Sequence, residues 1–287
     1  MRPPARYFPV DAKPFSMRAG LIKFPTDFGN GDADARVFQI DDQLEATLAA
    51  KRAPRAIGRC FERVDTPAEA RAMDTLLRWT EARLAEEAPD RLRAADADTE
   101  ATSRWDAIAR ALQEDLVVMH EGVEGAGRAL LLHVSFPSGW RPEALIGTDF
   151  LHIHQPVPSF PGKDPEAAAA ASVSMMRSMI ERGPYVRFVW TVRADDALDH
   201  HPDVGGRLPW REDSAGYLRL ERQLTLPFPE VGASLFIIRP YLRAFASLSA
   251  EEKAILRTAV VEMPEQFKSY KGIPNDPTLV LAALDRA

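Results

Sequence analysis

Three short strand-like runs follow one another over 185–192, 217–224 and 233–238, and no helical pattern separates them. Strands that succeed each other in this way pair antiparallel, because a parallel crossover needs about a dozen or more residues and usually carries a helix. A fourth run, Leu130-Leu131-Leu132-His133-Val134-Ser135-Phe136, suits a buried strand and stops at Pro137-Ser138-Gly139. The order predicts an α+β fold in which an antiparallel or mixed sheet carries helices on one side or end. The His154 segment is expected to join the same sheet.

Helix signals flank these runs. Thr66, Pro67 and Glu69 supply an N-cap hydroxyl, a proline at the first helical position and a reciprocal carboxylate, ahead of Met73, Leu76, Leu77 and Leu84 at helical spacing. Trp105, Ile108, Ala109, Leu112 and Leu116 form a second stripe and predict a helix with Glu114 and Asp115 near its end, at least one of them solvated. Asp164 and Pro165 introduce an alanine-rich helix with Val173, Met176, Met179 and Ile180, and Ser249 with Glu252 caps another that carries Ile255, Leu256, Ala259 and Val260. Residues 1–60 read differently. Pro3, Pro4, Pro9, Pro14, Pro25 and Pro54, with Gly29 and Gly31, predict an irregular wrapping arm anchored by Phe8, Phe15, Leu21, Phe24, Phe28 and Phe38, followed by one α+β domain over 61–287.

Charge and composition narrow the partners. A net charge of -6 offers a nucleic-acid backbone no general attraction, and Cys60, the single cysteine, excludes an internal disulfide or a thiolate cage for zinc. The opening Met1-Arg2-Pro3-Pro4 has no apolar stretch behind its charge, and no run reaches the roughly 18 apolar residues of a membrane span. The expectation is a soluble cytoplasmic protein.

Several side chains could carry chemistry. In Leu151-His152-Ile153-His154-Gln155-Pro156-Val157-Pro158 an extended backbone would put His152 and His154 on one face, toward one metal or one pocket, although the prolines interrupt a regular ladder. His133 could add a third imidazole or be a buried histidine bonded to a carbonyl. His120, His200 and His201 read as loop residues. Over Tyr217-Leu218-Arg219-Leu220-Glu221-Arg222-Gln223-Leu224, strand alternation sets Arg219, Glu221 and Gln223 against Leu220, Arg222 and Leu224, so that Arg222 either meets a ligand carboxylate or closes an internal ion pair. Trp105, Trp140, Trp190, Trp210, Phe236 and Tyr241 could face a flat cofactor or fill the core. No GxxxxGK or well-placed GxGxxG sequence is present.

In order, Glu114-Asp115-Leu116, Phe136-Pro137-Ser138-Gly139-Trp140, Ile153-His154-Gln155-Pro156-Val157-Pro158, Glu221-Arg222-Gln223, and Leu235-Phe236-Ile237-Ile238-Arg239 with Tyr241 resemble the motifs of the haem-dependent oxidative N-demethylase family. The resemblance runs from the aromatic arm to Tyr270-Lys271-Gly272. It implies a PAS-like α+β core over 61–287 that holds haem b, with His154 as the axial iron ligand and Arg222 beside the cofactor. It also implies oxygen-dependent removal of a methyl group from a small secondary amine such as dimethylamine, releasing formaldehyde. His133, His152, Glu114 and Arg222 are its candidate catalytic groups. Electrons would come from a separate reductase, from NADPH through flavin. The chain departs from the family pattern after Gln223, where Leu224-Thr225-Leu226-Pro227-Phe228-Pro229 lacks the family's basic turn, a change that bears on the pocket or the electron-donor contact. A haem sensor or storage module without turnover and a non-haem metal enzyme are the alternatives.

Overall fold

A computed structural model describes residues 2–11, 15, 20–53, 59–155, 157–158 and 164–287. Pro14, Pro54 and Pro156 lie outside the described residues. Among the described residues seven strands form one sheet: β1 (Ile22–Lys23), β2 (Cys60–Glu62), β3 (Asp115–His120), β4 (Arg128–His133), β5 (Tyr185–Arg193), β6 (Tyr217–Phe228) and β7 (Ala233–Ala244), in the order β1-β5-β6-β7-β3-β4-β2. Every pairing among the described residues is antiparallel. The fold is α+β with an antiparallel sheet and packed helices, in keeping with a PAS-like arrangement.

The arm is more regular than its prolines suggest. It contributes β1, a short helix α1 (Asp32–Ala35) and α2 (Leu44–Lys51). Leu44, Thr47, Leu48 and Lys51 are buried along one side of α2, and the periodicity is hidden in the sequence because two of these four are polar. Phe38 is 1% exposed in the main core, a burial worth about 1.5–3 kcal/mol.

Next come α3 (Pro67–Glu87), α4 (Pro89–Asp96) and α5 (Arg104–Arg110). The capping box at α3 is complete: Thr66 Oγ1 accepts from Glu69 N at 3.2 Å and Glu69 Oε2 accepts from Thr66 N at 3.0 Å. The predicted second helix is shorter than expected. It ends at Arg110, and Leu116 begins the apolar part of β3, whose residues are buried on both faces between β7 and β4. A strand buried on both faces has no period-two signal, so its run extends a helical stripe in the sequence.

Two helices, α6 (Phe150–His154) and α7 (Pro165–Glu181), precede β5, and α8 (Ala250–Val261), α9 (Glu265–Lys271) and α10 (Thr278–Arg286) close the chain. Register assigns the sheet's two faces. One carries Leu220, Arg222, Leu224, Leu235, Ile237 and Leu116 toward the arm, α3 and α5. The other carries Val117, Met119 and Leu132 toward α6 and α7 through Phe150, Met176, Met179 and Ile180.

Candidate functional site

The two faces are covered unequally at the middle of the sheet. On β6 and β7, Leu220, Arg222, Leu224, Leu235, Ile237 and Arg239 are buried, whereas their neighbours on the opposite face, Glu221, Gln223, Phe236 and Ile238, are only half-buried. Arg187 and Val189 of β5 continue that half-buried row, in register with Gln223 and Glu221. Phe150, Met176 and Met179 of α6 and α7 pack with Phe236 and Ile238 on one side of the row, and on the other Arg219 donates to the Phe136 carbonyl and Lys271 to the Trp190 carbonyl. The row therefore floors a trough, with α6 and α7 toward one end and the 136–140 loop and α9 toward the other.

His154 belongs to the wall of this trough. The expected extended segment is instead helix α6, N-capped by Asp149, whose Oδ1 accepts from His152 N at 2.7 Å. Residues two apart on a helix point about 200° apart, so the two histidines do not share a face. His152 is exposed, while His154 is half-buried and its ring lies against Phe150, centroids 4.0 Å apart. His154 Nδ1–H donates to the Phe150 carbonyl at 2.8 Å. A carbonyl can only accept, and this bond assigns the proton to Nδ1 and the lone pair to Nε2. Burial pushes the imidazole below its ordinary range and the nearby Arg187 charge adds to the effect, against the Phe150 bond. The ring is held neutral.

Polar groups crowd the far end. Glu221 accepts from Arg219 Nη2 at 3.2 Å and from Gln223 Nε2 at 2.9 Å. Arg219 also donates to the Phe136 carbonyl at 2.8 Å, and Arg207 donates to the Ser138 carbonyl at 2.6 Å. Arg193 donates to Ser138 Oγ. The Phe136-Pro137-Ser138-Gly139 turn is thus a receiver for three guanidinium groups. Gly272, at φ 78°, closes α9 against the same corner, where a Cβ would run into the Val192 carbonyl and Arg193.

A family model described as haem-dependent oxidative N-demethylase, alpha subunit-like, matches residues 69–280. The chain belongs to this family. No curated protein matches it. No helix among the described residues is long and apolar enough to cross a membrane.

In this N-demethylase-family chain most of the other sequence-derived candidates lie away from the trough. Arg222 faces the arm, donating to the Arg36 and Val37 carbonyls at 2.8 and 3.3 Å and lying over the Phe24 ring. Glu114 and Asp115 are not on a solvated helix: Glu114 is 0% exposed and Asp115 1%. Glu114 Oε1 accepts from Gln39 N at 2.8 Å, and burial raises its carboxyl against the pull of Arg239. Asp115 accepts from Ser135 and Phe136 N at 3.0 and 3.1 Å, with Lys51 Nζ at 3.5 Å. His133 donates through Nε2 to Asp106 at 3.0 Å. His120 is the last residue of β3, and His200 and His201 are buried beside Asp195 and Glu143.

Among the described residues two side-chain groups have the composition of a metal site: Cys60, Asp106 and His133, and Glu143, His201 and Asp203, each with its ligand atoms within 4.8 Å of one another. Arg141 already occupies the cation's position in the second, bound to Asp203 and Glu143. In the first, Asp106 is engaged by His133 and by Thr102 N and Oγ1. Sequence reasoning missed Arg187, Arg193 and Arg207. The available signal was the alternation that set Arg219, Glu221 and Gln223 on one face.

Proposed function

We propose that this chain binds haem b in the trough and performs oxidative N-demethylation of a small secondary amine such as dimethylamine in the cytoplasm. The carrying observation is a neutral His154, its Nδ1 proton held by Phe150, at the wall of a half-open sheet face. That is the protonation state an axial ligand needs, with the other ring nitrogen pinned by a carbonyl. Val189, Phe236 and Ile238 offer apolar floor to a flat macrocycle, and the arginines at the far end offer partners to its acidic edge. These residues fit the cofactor.

Haem, when bound, supplies oxygen-dependent redox chemistry that converts the N-methyl group to formaldehyde, one oxygen atom leaving in formaldehyde and the other in water. The balance requires an electron pair from outside. A separate reductase, drawing on NADPH through flavin, fits a chain with no nucleotide-phosphate motif. The protein's own contribution is positional. His154 would hold the iron, and Glu221, held by Arg219 and Gln223, presents a half-buried carboxylate that can accept an N–H bond from a protonated amine. Arg222, Glu114 and His133 act behind the sheet, by holding the arm and the strands that floor the trough.

The test is an absorption spectrum after haem reconstitution, followed by oxygen uptake with dimethylamine and an electron donor. A stoichiometric Soret band with coupled uptake and formaldehyde release is expected. Absence of the band removes the haem reading. A band without turnover across a panel of N-methylamines assigns the chain to sensing or storage.

A further inference from the structure

Five basic side chains, Arg187, Arg193, Arg207, Arg219 and Lys271, act on one another at the far end of the trough, and the carboxylates that bear on them are Glu221 and Asp195. Asp195 is already bonded to His200 and to Ala197 N. Arg193 and Arg219 are each 2% exposed. Their donors go largely to carbonyls and to Ser138: Arg193 to Val192 O at 2.8 Å, Arg207 to Ser269 O at 3.2 Å, and Arg219 to Leu198 O at 2.6 Å. Carbonyls satisfy hydrogen bonds without cancelling charge. Among the described residues the buried Nε atoms of all four arginines have no hydrogen-bond partner, and the side chain of Arg187 makes no hydrogen bond.

Burial and mutual repulsion press on this group from the same side. Burial lowers Arg193, with Arg207 and Arg219 adding to the effect, and burial lowers Lys271 to about 7, with Arg187 adding to it. Lysine can respond by losing its proton, but a guanidinium stays charged in a protein. Uncompensated buried charge is strongly unfavourable, so an anion that enters this corner gains what the arginines lack. A carboxylate matches the planar fork of a guanidinium.

We propose that this basic wall is a carboxylate site, in which half-buried Arg187 and Arg207 take the ligand and Arg193 and Arg219 supply fixed positive field behind them. The location, beside Glu221 at the end of the trough away from α6, with Arg187 near enough to act on His154, rests on the haem reading for the ligand's identity. The carboxylate then belongs either to the propionates of haem or to an amine substrate that is itself a carboxylic acid. For the second, Glu221 and Arg187 would receive the two ends of a zwitterion.

Spectroscopic titration of haem-free protein with haem and with haem dimethyl ester decides between the sources, and the comparison of the two porphyrins on the natural protein needs no variant. If the propionates occupy the wall, esterification weakens binding about 10- to 100-fold, and Arg187→Gln removes most of that difference while Arg187→Lys keeps part of it. If a substrate carboxylate occupies it, the ester binds as well as haem, and N-methylglycine shifts the haem spectrum of the natural protein but not of Arg187→Gln. Equal binding of haem and ester, with no N-methylglycine response, overturns the site and leaves the haem reading intact. Should neither porphyrin bind, calorimetry of N-methylglycine on the haem-free protein tests the site by itself: heat that depends on Arg187 supports it, and no heat overturns it.

Discussion

Arg239 Nη2 donates to Asp41 Oδ2 at 2.7 Å, and this buried pair ties the N-terminal arm to the central strand β7. Asp41 Oδ1 also accepts from Gln43 N and Gln113 Nε2 at 3.0 and 2.9 Å, so its carboxylate is fully engaged. Removing the arginine strands that carboxylate in the core. Arg239→Met is expected to destabilise the protein by about 3–5 kcal/mol, and adding Asp41→Asn should recover part of the loss. Urea unfolding measures both, as a lower midpoint with an unchanged slope.

Asp106 and His133 link α5 to β4 and give a second prediction, in pH. Burial acts to raise the Asp106 carboxyl, but hydrogen bonds from His133 and Thr102 outweigh it and hold it at about 2, below its ordinary 3.8. The folded state therefore releases the proton more readily than the unfolded one. The resulting stabilisation is present above about pH 4 and is lost as pH falls through 2. The melting-temperature gap between the natural protein and Asp106→Asn should be constant from pH 7 to about 4 and close by pH 2. A gap that stays constant to pH 2 would show that the carboxylate's charge is not what stabilises the pair.

The strands were legible where they have one polar face or stop at turn residues, as at 217–224 and at Leu130 to Phe136. β3 was not, because Leu116-Val117-Val118-Met119 is buried on both sides and continues the stripe of Trp105, Ile108 and Leu112. The caps at Thr66 and Ser249 were legible because a capping box is a local reciprocal bond that tertiary packing does not alter.

The site was half legible for a related reason. Alternation separated Arg219, Glu221 and Gln223 from Arg222, and the register of β5, β6 and β7 upholds that division. Which side is open depends on what α6, α7 and the arm cover, and covering is a tertiary fact. Arg222 is aimed at arm carbonyls 185 and 186 residues away in sequence, a separation that no local pattern reports.

Cys60 provides a third prediction. Burial pushes its thiol well above the ordinary range, and the Glu62 and Asp106 charges add to that. The thiolate is the reactive form, so the folded protein should resist iodoacetamide at pH 8 and label stoichiometrically once unfolded in urea. Rapid labelling of the folded protein would contradict a thiol held protonated by this surrounding. Added zinc that changes cobalt-competition spectra at Cys60 would instead mark the Cys60, Asp106 and His133 group as a metal centre.

The last prediction separates the two histidines of α6. On the helix their rings diverge: His152 is exposed, while His154 rests on Phe150 with Nδ1–H bonded to its carbonyl. Among the described residues no hydrogen bond orients the His152 imidazole, whereas the ring of His154 has both a stacking partner and a fixed tautomer. His154→Ala is expected to lose the native axial-ligand signal in low-temperature electron paramagnetic resonance. It should also weaken haem retention by at least about 10- to 100-fold, the loss that follows even when a group that merely orients a metal ligand is removed. His152→Ala should keep both the signal and the retention, because its side chain points away from the Phe150 contact by about 200°. Loss of the signal in His152→Ala with an unchanged signal in His154→Ala would reverse the assignment.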